Sequence, residues 1–335
     1  MRSKLALLAT GGTIASSRSQ NGLIPALRGE EILQLSPRLL EFGDITARDV
    51  FSLDSSNIQP EEWQTLAKAV TEALETADGV VITHGTDTMA YTASALSFML
   101  MGIRKPVVLT GSQLPLQFPF SDAPVNLEEA FHVAAHAAPG VYIVFHHKVI
   151  YGTRAVKMRT LSYDAFDSIN APPIGYFDAD GLHMSAPESL FTAELPQENM
   201  MDIDSRVFVL KLMPGTDPEI FNHLIRAQYK GLVMEAFGLG GLHYIRRNLV
   251  DSLRAVSKAG ILTLVTTQCP YEKADFSIYE VGRGILNADR VYGAHDMTTE
   301  AAVTKLMWVL GDAERRRPLL TKCIAHEMAS GDSTF

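Results

Sequence analysis

The segment Gly79–Gly102, GVVITHGTDTMAYTASALSFMLMG, leaves the chain few ways to fold. Gly79-Val80-Val81-Ile82-Thr83 is a short, apolar, β-branched run without polar alternation, the pattern of a strand buried on both faces of a parallel sheet. Ala93, Leu96, Ser97, Leu100 and Met101 then recur at helical spacing on one face, and Gly102 is placed to end the helix. Between strand and helix lies His84-Gly85-Thr86-Asp87-Thr88, a turn that carries an imidazole, two hydroxyls and a carboxylate. In open parallel sheets, ligands bind outside the carboxyl ends of the strands, where such a turn sits. For one turn taken alone, helix capping is the more ordinary use of these side chains. A second reactive turn elsewhere shifts the balance towards chemistry.

The chain supplies further ones. Leu5–Ala9 reads as a first buried strand, ending in Thr10-Gly11-Gly12-Thr13-Ile14-Ala15. The paired glycines permit a sharp turn and a close backbone approach, and Thr13 presents a hydroxyl at the strand's carboxyl end. The dinucleotide fingerprint G-x-G-x-x-G is absent. Ser16–Pro25 is polar and reads as a mobile loop, a candidate lid. Asp49–Leu53 reads as a strand ending in Asp54-Ser55-Ser56-Asn57. A helix opens at Pro60 and buries Trp63, Leu66, Ala67, Val70, Ala73 and Leu74. Strands at Pro106–Leu109 and Val141–Phe145 flank a helix at Asn126–Ala138, and Lys148–Val156 suggests a small hairpin that delivers Lys157.

The segment 187–204 is polar, Glu- and Pro-containing and weakly periodic, and reads as a linker. Beyond it strands at Val207–Leu210, Leu232–Ala236 and Ile261–Thr266 alternate with helices at Pro218–Gln228, Asn248–Lys258, Thr299–Leu310 and Leu319–Met328. This alternation predicts an α/β protein of two domains, 1–186 and 205–335, with parallel or mixed sheets flanked by helices. The first half reads as Rossmann- or flavodoxin-like. A chain of 335 residues with 47% hydrophobic and 20% charged residues suits two such domains.

Charge and composition narrow the partners. A net charge of −9 opposes a nucleic-acid partner, because phosphate binding needs a basic surface. No apolar run is long enough to span a bilayer. Leu5–Ala9 is too short for a signal peptide and runs straight into Thr10-Gly11-Gly12-Thr13. The two cysteines, Cys269 and Cys323, form no disulfide framework and fit a reducing, cytoplasmic setting. His146 and His147 are adjacent, so on a strand they point to opposite faces, and no third ligand lies at usable spacing. A metal is not expected on these residues.

A threonine hydroxyl is a weak nucleophile until a neighbour takes its proton. Lys157 is a natural partner for Thr86, since a desolvated amine loses its charge and accepts a proton. Asp87 is suited to orient that lysine or to bind a substrate ammonium. Backbone N–H groups at the Gly11-Gly12 and Gly85 turns are candidate oxyanion donors. These are parts for acyl transfer from an amide or ester.

Thr10-Gly11-Gly12-Thr13-Ile14-Ala15, His84-Gly85-Thr86-Asp87-Thr88 and Lys157 together resemble the bacterial-type L-asparaginases. The likeness covers nearly the whole chain, and Tyr163-Asp164-Ala165-Phe166, Thr267-Gln268-Cys269 and Ala294–Glu300 (AHDMTTE) are most similar to the cytoplasmic type I branch. The resemblance implies an amide hydrolase that releases ammonia and L-aspartate from L-asparagine without a cofactor. It implies Thr13 as nucleophile, with Thr86, Asp87 and Lys157 as the second catalytic group. Gly12, Ser55, Ser56, Gly85, Thr86 and Asp87 would bind substrate, Ser55 and Ser56 at its α-carboxylate and Asp87 at its α-ammonium. Family members form intimate homodimers, often paired into homotetramers. This sequence departs from the family in placing Leu23 where type I members carry a lid tyrosine before Ile-Pro, and Gly241 where an asparagine often follows Gly-x-Gly. Tyr279, Lys157 or another chain's residue are the candidates to replace the tyrosine. The alternatives are a glutaminase-type relative, including the glutamine-feeding component of a tRNA amidotransferase, and a catalytically silent asparagine- or aspartate-binding sensor.

Overall fold

The computed structural model describes residues 2–19, 22–185, 200–275 and 289–329. The chain divides into two compact units, Met1–Ser189 and Leu190–Phe335. Tyr279 and residues 187–199 of the expected linker lie outside the described residues.

The first unit is built on an eight-stranded mixed sheet. Its parallel part comprises β1 (Lys4–Gly11), β4 (Asp44–Leu53), β5 (Gly79–Thr83), β6 (Pro106–Thr110) and β7 (Gly140–Phe145), in the order β4-β1-β5-β6-β7. An antiparallel margin follows, of β8 (Lys148–Tyr151), β11 (Gly175–Asp178) and β12 (Gly181–Met184). All five residues of β5 and of β6 are buried. That explains why both segments read as unbroken apolar runs. One face of the sheet packs Leu5, Leu7, Val81, Val108 and Val144 against Leu127, Phe131 and Ala134 of α4 (Ala123–His136). α2 (Pro60–Leu74) contacts β1 and β5, and α3 (Met89–Met99) contacts β7 and α2. α3 is buried almost all round rather than on one stripe, and the chain turns at Gly102 with φ 84°.

The parallel order reverses at β1. The chain runs from β1 out to β4, then crosses back to β5 on β1's other side. The turns after β1 and β5 therefore diverge from a common cleft, the place where open α/β sheets hold their ligands.

The second unit carries a four-stranded parallel sheet in sequential order: β13 (Val207–Lys211), β14 (Gly231–Ala236), β15 (Leu262–Thr267) and β16 (Val291–Gly293). The helices Glu219–Arg226 and Leu249–Lys258 bury Phe221, Leu224, Leu249 and Leu253 against it.

Three expectations need correction. Ser16–Pro25, expected as a loop, forms an antiparallel pair of β2 (Ser16–Ser19) and β3 (Gly22–Pro25). The segment lacks the apolar alternation that marks a half-buried strand, so its sequence pattern does not announce the pairing. Lys148–Val156 is not one hairpin. β8 pairs with β7 and β11, whereas β9 (Ala155–Lys157) pairs with β10 (Phe166–Ser168). The separation falls at the Tyr151–Arg154 turn, closed by Arg154 N–H donating to Tyr151 O.

Leu319–Met328 is not a helix. Only Arg317–Leu319 makes a 3-10 turn, and the rest is irregular. Its apolar residues Leu319, Leu320, Ile324 and Met328 are buried without a helix, and a buried ion pair organises the segment. Lys305, on the helix Thr299–Gly311, places its ammonium 2.6 Å from Glu327, and both side chains are fully buried. Glu327 also accepts from the backbone N–H groups of Ile324 and Ala325, and Lys305 donates to Lys322 O. These bonds replace the helical ladder that the spacing suggested.

Breaking one half of a buried pair leaves an uncompensated charge, at a typical cost of about 3–5 kcal/mol. Lys305→Met should lower stability to unfolding by that amount in denaturant titration. The exposed pair Arg254–Asp251, 3.0 Å apart, should yield under about 1 kcal/mol when Arg254→Met is measured alongside.

Candidate active site

Two glycine turns meet back to back at the β1/β5 switch point. Gly11 and Gly12 leave β1 with φ 97° and 77°. A Cβ on Gly12 would stand 2.3 Å from Gly85 N, and one on Gly11 would stand 2.5 Å from Leu53 O. Only a residue without a side chain permits this approach. The Gly12 N–H donates to Leu53 O at 2.9 Å, and Ser16 Oγ donates to Gly12 O at 2.9 Å. Thr13 opens the single 3-10 turn Thr13–Ala15, with Ile14 and Ala15 buried beneath it. Thr13 is half-buried, and among the described residues its hydroxyl has no hydrogen-bond partner.

The second turn is fixed from below. The His84 ring is wholly buried, its Nδ1 2.7 Å from Gly85 O and its Nε2 2.9 Å from Thr92 Oγ1. Trp63 Nε1–H donates to the same Thr92 oxygen at 3.1 Å. A carbonyl only accepts, so Nδ1 carries the proton and donates to Gly85 O, while the Thr92 hydroxyl donates to Nε2. Burial presses the His84 pKa from 6.5 to about 4, and the bond to Gly85 opposes this only in part. The ring is therefore a neutral strut at pH 7.

Above the strut, Thr86 and Asp87 converge on Lys157. Lys157 Nζ lies 2.7 Å from Thr86 Oγ1 and 2.6 Å from Asp87 Oδ1. Thr86 is 5% exposed, whereas the Asp87 side chain is 63% exposed, so the carboxylate is open to solvent. Ser55 is buried. Its Oγ accepts from Asp87 N–H at 3.3 Å, and its carbonyl accepts from Thr88 Oγ1 at 2.7 Å. Asp54 caps the Ser55–Asn57 turn, taking Ser56 N–H at 2.9 Å and Ser56 Oγ–H at 2.5 Å, and these bonds lower the Asp54 pKa.

The turns after β1, β4 and β5 thus join in one cluster that contains Gly12, Thr13, Ser55, Gly85, Thr86, Asp87 and Lys157. Ser56 lies beside it, with its hydroxyl engaged by Asp54. The sequence reading overlooked Gln113. Its Nε2 donates to Thr160 O and Ser162 O at 3.1 and 2.9 Å, and Thr86 Oγ1 lies 3.4 Å from its Oε1. Its backbone N–H and that of Leu114 donate to Asp122. The turn Thr110-Gly111-Ser112-Gln113 ends β6, next to β5, and the rule that selected the other strand-end turns selects it too. Among the described residues no group of three or more His, Cys, Asp and Glu side chains could hold a metal ion.

Residues 4–190 match the family described as "Asparaginase, N-terminal", and residues 206–319 match "Glutaminase/Asparaginase C-terminal domain". The chain belongs to the asparaginase family. It is 44% identical to the L-asparaginase of Thermococcus kodakarensis over 97% of this chain and 99% of that one. It is 36% identical to a component of the glutamyl-tRNA(Gln) amidotransferase of Sulfurisphaera tokodaii, over 95% of this chain and 74% of that protein. The solved thermostable L-asparaginase of Thermococcus kodakarensis superposes with a TM-score of 0.90 at 43% identity, covering 98% of this chain and all of that one. L-asparaginase I of Vibrio cholerae gives 0.84 at 29% identity, over 98% of this chain and 100% of that one. A probable cytoplasmic L-asparaginase of Campylobacter jejuni gives 0.82 at 26%, over 96% and 99%.

Gly12→Ala should destabilise the protein by roughly 2 kcal/mol more than Gly102→Ala. Both positions have positive φ, but nothing lies within 4 Å of a Cβ at Gly102. Denaturant titration of the two variants isolates the cost of the Gly12–Gly85 contact.

The His84 value is depressed on folding, so the unfolded chain binds the extra proton at acid pH. Its contribution to stability is complete above pH 6.5 and declines as pH falls towards about 4. Calorimetry across that window should show a falling melting temperature, with a shallower fall in His84→Gln.

Proposed function

We propose that this chain is a type I-like L-asparaginase that hydrolyses the side-chain amide of L-asparagine to L-aspartate and ammonia. The observation that carries the reading is the Lys157–Thr86–Asp87 cluster held against the Gly12–Thr13 turn at the sheet's switch point. Membership of the asparaginase family supports it.

In this reading Thr13 Oγ attacks the amide carbon and gives up its proton. The tetrahedral oxyanion forms opposite backbone N–H groups of the two glycine turns. Gly12 N–H is engaged by Leu53 O, which leaves the N–H groups of Thr13 and Thr86 as the proposed donors. Ammonia departs with an added proton, and an ester to Thr13 remains. Water then attacks the ester, aspartate leaves, and the threonine hydroxyl is restored. Thr86, Lys157 and Asp87 form the proton-handling group of these steps. Ser55 and Ser56 hold the α-carboxylate, and Asp87, open to solvent, holds the α-ammonium. Catalysis needs no metal or cofactor in this scheme.

The same reading assigns residues 1–186 as the catalytic domain, 187–204 as linker and 205–335 as the smaller domain. It places the protein in the cytoplasm as a homodimer or homotetramer. The two cysteines are free thiols, and no described helix is long and apolar enough to cross a membrane.

Ammonia release from L-asparagine by the purified protein tests the reading. Thr13→Ala should lower kcat by about 10^3-fold or more, and Lys157→Met by about 10^2- to 10^4-fold. Aspartate should still protect Thr13→Ala against heat, since Ser55 and Asp87 keep their partners in that variant. Wild-type silence on asparagine with intact aspartate binding would replace the enzyme by a sensor, and turnover of glutamine alone would make it a glutaminase.

A further inference from the structure

Lys157 does not sit on the main sheet. It ends β9, which among the described residues pairs with β10 alone, in a separate two-stranded ribbon of three register pairs, Lys157↔Phe166, Val156↔Asp167 and Ala155↔Ser168. A two-stranded ribbon is marginal by itself. The placement of Lys157 against Thr86 therefore depends on what ties the ribbon down.

One tie is apolar: Phe166 lies edge-on to Phe145 of β7, with ring centres 5.1 Å apart. The other is ionic. Lys148, the first residue of β8, sends its ammonium to Asp164 Oδ1 at 2.6 Å, Asp167 Oδ1 at 3.1 Å and Phe166 O at 3.3 Å. Arg159 closes the loop from the other side, donating to Asp164 O at 2.8 Å and Asp167 Oδ2 at 3.3 Å. Burial works against the charge on Lys148, but the two carboxylates outweigh it and raise its pKa, while Lys148 lowers that of Asp164.

The position of Lys148 is itself fixed. The β7–β8 turn consists of His146 and His147, at φ 47° and 65°. α4 holds this left-handed turn through Asn126 Oδ1, which accepts His146 N–H at 3.0 Å, and Glu129, which accepts His147 N–H at 3.1 Å. Two successive left-handed non-glycine residues persist only where their surroundings determine them. The loop that Lys148 grips, 158–165, also presents the Thr160 and Ser162 carbonyls to Gln113, which touches Thr86.

We infer that Lys148 is a positioning residue for the proposed hydrolysis: its contacts with Asp164, Asp167 and Phe166 O register the β9–β10 ribbon on the main sheet and so hold Lys157 in line with Thr86. The inference rests on the reading of Lys157 as part of the catalytic group. A misplacement of about 1 Å is enough to cost up to 10^2-fold in rate.

The test compares Lys148→Met, Lys148→Arg and Lys105→Met in the full-length protein. Lys105 bonds Leu74 O and Ala77 O and serves as a control for loss of a structural lysine. Lys148→Met should lower kcat for asparagine about ten- to hundredfold with KM nearly unchanged. Lys148→Arg should recover most of the loss, and Lys105→Met should leave kcat near wild type. Hydrogen exchange provides a readout that needs no turnover. Amides of residues 155–168 should exchange faster in Lys148→Met, while those of β5 and β6 keep their protection. Unchanged exchange in the ribbon overturns the inference, whatever the substrate. So does an unchanged kcat, or a loss confined to KM, in an enzyme active on asparagine. If wild type hydrolyses no amide, the functional reading fails and ribbon exchange alone decides whether Lys148 registers Lys157.

Discussion

The contact between Gly12 and Gly85 is the constraint on which the first unit's chemistry depends. Parallel strands lie about 4.8 Å apart, and side chains on facing turns normally hold the loops beyond them farther apart. Removing both side chains lets the turns after β1 and β5 touch through backbone alone. Thr13 and Thr86, each one residue beyond its glycine, are then presented from two loops that diverge at the point where the strand order reverses. Neither glycine does chemistry in the proposed reaction. Their contribution is the distance at which the two threonines are held.

Support for that contact comes from polar groups whose partners are all accounted for. The Trp63–Thr92–His84–Gly85 chain runs in one direction from a donor-only indole to an acceptor-only carbonyl. No member can reverse its bond without leaving a buried polar atom unpaired, and that cost fixes the tautomer. The chain therefore orients the Gly85 peptide more firmly than apolar packing alone. Asp122 does the equivalent for the turn after β6, by accepting the N–H groups of Gln113 and Leu114. The loops at this end of the sheet are irregular in form but closely specified by side chains from α2, α3 and α4.

Much of this could be read in the sequence, and the exceptions have identifiable causes. β5 and β6 were legible because strands buried on both faces leave continuous apolar runs. Thr13, Ser55 and Thr86 were legible because strand ends are marked by glycine and hydroxyl residues. β2–β3 was not, since SSRSQNGLIP lacks the apolar alternation of a half-buried strand. The segment after Pro318 misled in the opposite direction. Its apolar spacing suits a helix, but the Lys305–Glu327 pair, contributed by residues far apart in sequence, takes up the backbone N–H groups that a helix would have used. The turn that carries Gln113 was marked by the same strand-end rule, but its link to Thr86 was not legible, because the amide is oriented by the carbonyls of Thr160 and Ser162, which only the fold brings near.

The direction of those hydrogen bonds bears on which threonine reacts. Gln113 spends its Nε2 protons on two carbonyls, so it turns an oxygen towards Thr86. An amide oxygen only accepts, so the Thr86 hydroxyl points its proton at Gln113 and receives one from Lys157. In this arrangement Thr86 is not poised to lose its proton to the lysine. The hydroxyl would have to rotate away from Gln113, and the lysine would have to be neutral, before the pair could act as nucleophile and base. Thr13 carries no such commitment among the described residues. The resting bond pattern therefore supports the proposed reaction, in which Thr13 attacks first and the Thr86–Lys157–Asp87 set manages protons once substrate has displaced the present bonds.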